Sequence, residues 1–371
     1  MKTTFRTQTW QSILLWSATV SATVVTYSDA LFNGPTTIET AYSGSSFDGP
    51  KLNPGPNKTS YDWWEFDVVS TSSANESVLF AFYLSTAEAF FGGIDNSPVS
   101  VVINGVFKNG TQYIHQVTPT GSSLAEVTTT PGKDGSSGNW QSTGFSWTGA
   151  SDLSKYVISV DSPSAGVSGT VTLESIAPPH LPCGVKTLNT NELLVEHLGW
   201  AVSVPDAITT VNLTVGDEKI FFTGAGYHDK NWGDRPWSEA LAAEYWGHGR
   251  IGPYSLVWFD LTTHDGKEHV SAHVVKDGNV LLASCDTGAV KVRPVGTDTA
   301  FPFRQGSSLP TSYTLEFDLG SEGKLQATAF TDTIASDFPF YNRFTGRLSG
   351  GIVGQQQYEG VMVIEQYTAL S

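Results

Sequence analysis

Apolar and polar residues alternate along most of the chain from residue 36 onward, the period of a half-buried β-strand. In YDWWEFDVVS (61–70), Asp62, Trp64 and Phe66 fall on one side and Trp63, Glu65 and Asp67 on the other. In VLFAFYLSTA (78–87), Ala81, Tyr83 and Ser85 oppose Phe80, Phe82 and Leu84. Val101 to Ile103, then Asn104-Gly105, then Val106-Phe107 predict a tight hairpin, because Asn-Gly supplies the two positive-φ residues of a type I′ turn. Asp265-Gly266 and Asp277-Gly278 separate YSLVWFDLTT, EHVSAHVV and VLLASC, the spacing of an up-and-down meander, which YTLEFDLG, KLQATAFTD and YEGVMVIEQY continue. Helix-like composition is confined to PWSEALAAEYW (236–246), with Pro236 suited to a helix start. A break falls at APPHLPCG (177–184), where Pro178, Pro179 and Pro182 cannot donate ladder hydrogen bonds. The pattern predicts an all-β protein of two β-domains, residues 31–185 and 200–371.

Composition narrows the function. Thirty-six acids against 20 bases give a net charge of −16, which repels nucleic acid and anionic membranes. Eleven Trp, 13 Tyr and 20 Phe are enough to fill β-cores and also to line a pocket for a flat, apolar ligand. Lys2 and Arg6 precede an apolar run, Ile13 to Val25, that is short for a bilayer span and contains the small-residue pattern Val20-Ser21-Ala22. Residues 1–22 therefore read as a signal peptide, with an uncleaved anchor as the alternative; the former predicts a mature start near Thr23, the secretory pathway, and no membrane span once the leader is removed. In that compartment Cys183 and Cys285 either pair or stay as two buried thiols, and Asn57, Asn75, Asn109 and Asn212 occupy glycosylation sequons. The eight histidines are scattered, and the chain carries no nucleophile elbow, phosphate loop or dinucleotide fingerprint, so neither metal nor cofactor is expected.

The densest chemistry is TGAGYHDKNWGD (223–234), which reads either as a catalytic centre or as a turn pinned by its own Asp and Asn. Glu65 and Asp67 share a face as the carboxylates of a sugar hydrolase would, but the further acid of retaining β-sandwich hydrolases is replaced by Ser70.

YHDKNWG resembles the Tyr-His-Asp-X-Asn-Trp-Gly signature of lipocalin-like proteins that include bacterial carotenoid hydratases. DWWEFDVVS, IGPYSLVWF and GGIVGQQQYEGVMVIEQY are similar, in that order, to stretches of the fungal lipocalin-like Diels–Alderases. The resemblance implies two lipocalin-like β-barrel or sandwich domains with the pocket between them. It also implies a cofactor-independent Diels–Alder or hetero-Diels–Alder cycloaddition on a polyketide- or terpene-derived molecule, achieved by shape and hydrogen bonding. A polyene hydratase or isomerase and a non-catalytic carrier are the alternatives. On that resemblance Asp62, His228 and Lys230 are the candidate catalytic groups. Trp64, Tyr83, Ser85, Trp232, Tyr245 and Tyr341 are the candidate substrate contacts, with Ser85 standing where some relatives carry an Asn.

Overall fold

The computed structural model describes residues 21–44, 46–73, 76–95, 97–120 and 125–370. The leader up to Val20 and the sequon at Asn75 lie outside the described residues. The first strand, Thr23–Tyr27, pairs with Ala125–Thr129.

Strands dominate, as the alternation predicts, and fall into two large antiparallel sheets. The first, of 15 strands, curls around a core in which Trp64, Trp140 and Trp147 pack with Phe66 and Phe82. The second, of 10 strands, encloses a core around Trp258, Tyr313 and Phe344. A third apolar cluster, with Trp63, Trp200, Tyr227, Trp246 and Phe259, draws on both sheets and marks their junction. The meander runs as expected: Ala243–Ile251, Tyr254–Thr262, Glu268–Lys276 and Asn279–Ser284 are successive neighbours. Asp277 and Gly278 both take positive φ, +48° and +77°, in the last of its turns.

Three local expectations are corrected. Asn104-Gly105 is not a turn: Val99–Val106 runs straight through it, and the chain reverses at 107–112, where Gly110 has φ +85°. Gly105 is needed for packing instead, since a Cβ there would lie 2.1 Å from the Ser77 carbonyl oxygen and 2.5 Å from the Tyr113 hydroxyl. The helix in 236–246 shrinks to Trp237–Ala240, because from Ala243 the chain is paired on both sides, with Tyr254–Thr262 and Tyr358–Thr368, and ladder bonding overrides local propensity. The division between sheets also lies later than the prolines. His180 pairs with Val202 inside the first sheet, and the long strands Leu198–Val215 and Glu218–Gly233 belong to that sheet, so the chain crosses over at 234–242. Cys183 and Cys285 form a disulfide that fastens the proline-rich stretch to the second sheet.

Candidate active site

The Tyr61–Ser70 and Glu218–Gly233 strands lie side by side, with Asp62 opposite Trp232, Trp64 opposite Lys230 and Phe66 opposite His228. Alternation sends these six side chains to one face, while Trp63, Glu65 and Asp67, opposite Asn231, Asp229 and Tyr227, go to the other. Both faces are buried, and they do different jobs.

The first face closes the core of the first sheet. Lys230 Nζ donates to Asp62 Oδ1, whose second oxygen accepts from the Lys51 backbone N–H at 2.7 Å. The Lys230 ammonium sits 4.1 Å from the centre of the Trp64 ring and 5.2 Å from that of Trp232. Burial raises the Asp62 pKa despite the attraction of Lys230, and burial lowers that of Lys230 despite Asp62. His228 stacks on Phe66 at 3.8 Å and places Nε2 3.1 Å from Asp48 Oδ1. Burial alone would raise Asp48, but His228 and the hydroxyls of Ser136 and Tyr156 hold it below the ordinary carboxylate value. Trp232 donates its indole N–H to the Glu39 carbonyl oxygen at 2.8 Å. All of Asp62, Trp64, His228, Lys230 and Trp232 are therefore a layer behind the pocket. Asp62 is not the costly lone carboxylate that its sequence position suggests, because a cation and a backbone N–H satisfy it.

The second face opens on a cavity of about 310 Å³ at the junction of the sheets. Trp63, Glu65, Asp229 and Asn231 form its wall on the first sheet, joined by Leu79 and Tyr83. Glu244, Trp246, Phe259, Tyr341 and Glu365 face them from the second sheet, and Phe90, Phe91 and Trp237 close a side. Of the candidate contacts, Tyr83 and Tyr341 are thus in the wall. Ser85 is buried with its hydroxyl on the Thr86 carbonyl oxygen at 3.0 Å, and Tyr245 belongs to the second core, donating to the Ala300 carbonyl oxygen at 2.9 Å.

The cavity is rich in acid. Arg343, buried beneath it, donates to Glu65 at 3.2 Å, to Glu365, and to Asp67 at 2.5 Å; His248 lies 2.6 Å from the other Asp67 oxygen. One arginine is shared by three carboxyls. Burial pushes Glu65 well up, Arg343 opposing and Glu365 reinforcing. Asp229 accepts from Trp200 and Tyr227 at 2.7 and 2.8 Å, yet burial still lifts it to about 6. Among the described residues Glu244 has no cation in contact, and burial followed by repulsion from Glu365 pushes its pKa well above the carboxylate range, which favours the protonated form. Four buried polar atoms of the lining have no hydrogen-bond partner among the described residues: Asn104 Oδ1, Asn231 Nδ2, Trp237 Nε1 and Glu244 Oε2. Orphans of this kind are rare in folded interiors, where such atoms are satisfied by water or by the polar edge of a ligand.

Asp229 and Asn231 belong to the central signature, but only the sheet register separates their face from that of His228 and Lys230. Trp237, Glu244, Arg343 and Glu365 carry no local signal in the sequence, because their role depends on the packing of one sheet on the other. Among the described residues no group of three or more potential metal ligands occurs, and no helix is long and apolar enough to cross a membrane.

The Diels-Alderase-like family model matches residues 27–293. The chain belongs to that family. Over 343 residues it is 38% identical to the quinolone epoxide rearrangement protein asqO of Emericella nidulans, covering 92% of this chain and 93% of that one. It is 35% identical to the quinolone epoxide rearrangement protein penF of Penicillium thymicola, covering 93% and 95%. Among solved structures, CghA with Sch210972 superposes with a TM-score of 0.73 at 19% identity, covering 94% of this chain and 98% of that one. This likeness confirms the all-β, two-sheet fold of the Diels-Alderase-like proteins. The family membership supports an enzyme of the cyclase or pericyclase kind.

Proposed function

We propose that this protein isomerises an aromatic, epoxide-bearing small molecule of the quinolone class, by acid-assisted ring opening in the cavity between the two sheets. The observation that carries the reading is the set of partnerless Asn104 Oδ1, Asn231 Nδ2, Trp237 Nε1 and Glu244 Oε2 in a wall of rings and carboxyls. An amide-like carbonyl of the ligand satisfies the two nitrogen donors. The Glu244 carboxyl gives its proton to the epoxide oxygen as the C–O bond breaks, and the carbon left behind becomes electron-poor. The rings of Trp63, Phe90 and Trp237 and the carboxylates beside Arg343 stabilise that charge, each ring contributing about 0.5–2 kcal/mol. Either a group migrates to that carbon and the hydroxyl proton returns to Glu244 as a carbonyl forms, or a carboxylate such as Asp229 takes a proton from the neighbouring carbon and releases it to solvent, from which Glu244 is reprotonated; the product is an isomer of the substrate. The names of asqO and penF support this reading over others.

Cycloaddition is the second reading, favoured by the family description and by the ring-lined walls, which can hold a diene and dienophile in one pose. Glu244→Gln separates the two. Proton donation is worth about 10²–10⁴-fold in rate, so acid-assisted opening of a quinolone epoxide by this variant should fall by that order with the fold unchanged by circular dichroism. Parent-like turnover in the variant would refute the acid role and leave the cycloaddition reading. The Cys183–Cys285 bond supports a secretory-pathway setting. Asn109 and Asn212 are exposed and suited to glycosylation there, whereas the Asn57 amide is already spent on the Gly34 carbonyl oxygen at 3.0 Å.

A further inference from the structure

The loop between the Ser77–Ser85 and Val99–Val106 strands brings Phe90 and Phe91 against the cavity. Beside these rings it is held by the Trp237 backbone N–H, which donates to the Ala89 carbonyl oxygen at 2.9 Å, and by Gln116 Nε2, which donates to that of Gly92 at 3.0 Å. Phe90 stacks on Trp63 at 4.2 Å. Beyond Phe90, the ring neighbours of Phe91 are looser, with Tyr341 at 5.0 Å, Phe340 at 5.3 Å and Tyr367 at 5.7 Å.

A second hollow of about 170 Å³ shares Phe90, Phe91 and Trp237 with the cavity. A single layer of rings therefore stands between the two spaces. The rest of its wall is mostly carbon, from Ala87, Phe340, Tyr367 and Leu370, with Glu88 and Ser238 as polar exceptions. The division of chemistry is sharp: the cavity holds the partnerless Asn104, Asn231 and Glu244 atoms, while the hollow adds apolar surface and, among the described residues, no partnerless buried atom beyond that of Trp237. Trp237 borders both spaces, so a ligand whose polar edge meets its indole N–H lies next to the partition. Phe91, whose ring neighbours other than Phe90 all lie at 5.0 Å or more while Phe90 is stacked on Trp63, is the ring that can turn aside.

We propose that the hollow is a subsite for an apolar substituent of the ligand, reached past Phe91, so that Phe91 sets how long that substituent can be. The proposal rests on the quinolone reading above, and the test separates the two. Isothermal titration is run with two probes, a quinolone carrying a methyl group on the carbon next to nitrogen and one carrying a heptyl chain there. Burial of two methylene groups already corresponds to about a tenfold gain, so the parent should bind the heptyl probe at least that much more tightly. Ser238 is exposed, borders the hollow and not the cavity, and Ser238→Trp fills the hollow without touching the core. This variant should erase the heptyl advantage and leave methyl binding unchanged, whereas Phe91→Ala should keep or increase it. A heptyl advantage that survives Ser238→Trp, or none in the parent, overturns the subsite alone. If neither probe binds the parent, the subsite falls together with the functional reading beneath it.

Discussion

Replacing Lys230 by Met tests whether the central signature is divided between structure and chemistry. The substitution keeps the length of the side chain and removes the cation from a pair whose two members are wholly buried. Removing one partner of such a pair costs about 3–5 kcal/mol, because the carboxylate left behind is uncompensated. The lost contacts with Trp64 and Trp232 add up to about 2 kcal/mol at a desolvated site. The Lys51 N–H still reaches Asp62, which favours the lower end. Urea unfolding followed by tryptophan fluorescence should therefore show a loss of about 3–5 kcal/mol. The loss should shrink as pH falls. Asp62 already has a folded-state pKa raised by burial, and without Lys230 it rises further; a group of this kind contributes most below its unfolded pKa and loses that contribution as pH climbs through the folded one. The double variant Asp62→Asn/Lys230→Met should lose less than the sum of the single changes. Turnover per folded molecule should stay close to that of the parent, since Lys230 does not reach the cavity. A loss under about 1 kcal/mol, the worth of an exposed pair, would refute the burial argument. Lost turnover without lost stability would refute the assignment of this face to structure.

The remaining expectations concern other parts of the molecule. His180 and His273 stack at 3.9 Å with three of their four ring nitrogens unpartnered, and burial lowers His180 to about 4 and His273 well below its usual value. Both protonate more readily when unfolded, so stability is lost as pH falls below about 6.5, with His180 alone costing about 3 kcal/mol by pH 4; a flat unfolding midpoint over that range would contradict this. Cys183→Ser/Cys285→Ser opens a loop spanning 102 residues and should lower stability by about 2–4 kcal/mol, read by thermal unfolding under otherwise equal conditions. If Asp229 receives a proton during turnover, the rate should decline below about pH 6 and this limb should be missing in Asp229→Asn, measured with a quinolone epoxide as substrate.

Much of the fold is legible in the sequence because its signals are local. Asp277-Gly278 needs two left-handed residues and obtains them, and the alternation in 61–70 assigns Trp64 and Trp63 to opposite faces. Which face meets the ligand is not a local property. The whole of Tyr61–Ser70 is buried apart from partial exposure at Glu65, so hydrophobicity cannot distinguish a wall that packs against a core from one that packs against a cavity. Asp62 drew attention as a carboxylate among rings, but its partner Lys230 is 168 positions away, and only the sheet register brings the two together. Glu244 was hidden in a stretch with helical composition, and its exposure to the cavity follows from pairing with the last strand, Tyr358–Thr368. Gly105 shows the converse: a strong turn dipeptide is overruled when the Tyr113 ring needs the space of a side chain.

The two-faced strand pair has a practical consequence for changing what the protein accepts. Odd-numbered positions from Trp63 to Asp67 and from Tyr227 to Asn231 touch the junction, while their even-numbered neighbours hold the first core. A mutant library restricted to the cavity-lining odd positions Trp63, Asp229 and Asn231 would vary the cavity while leaving the Lys230–Asp62, His228–Asp48 and Arg343–Asp67 pairs and the rings of the first core in place, so more of its members should remain soluble for screening. A library of equal size spread over every position of the signature would lose much of its diversity to unfolded chains before any reaction was assayed.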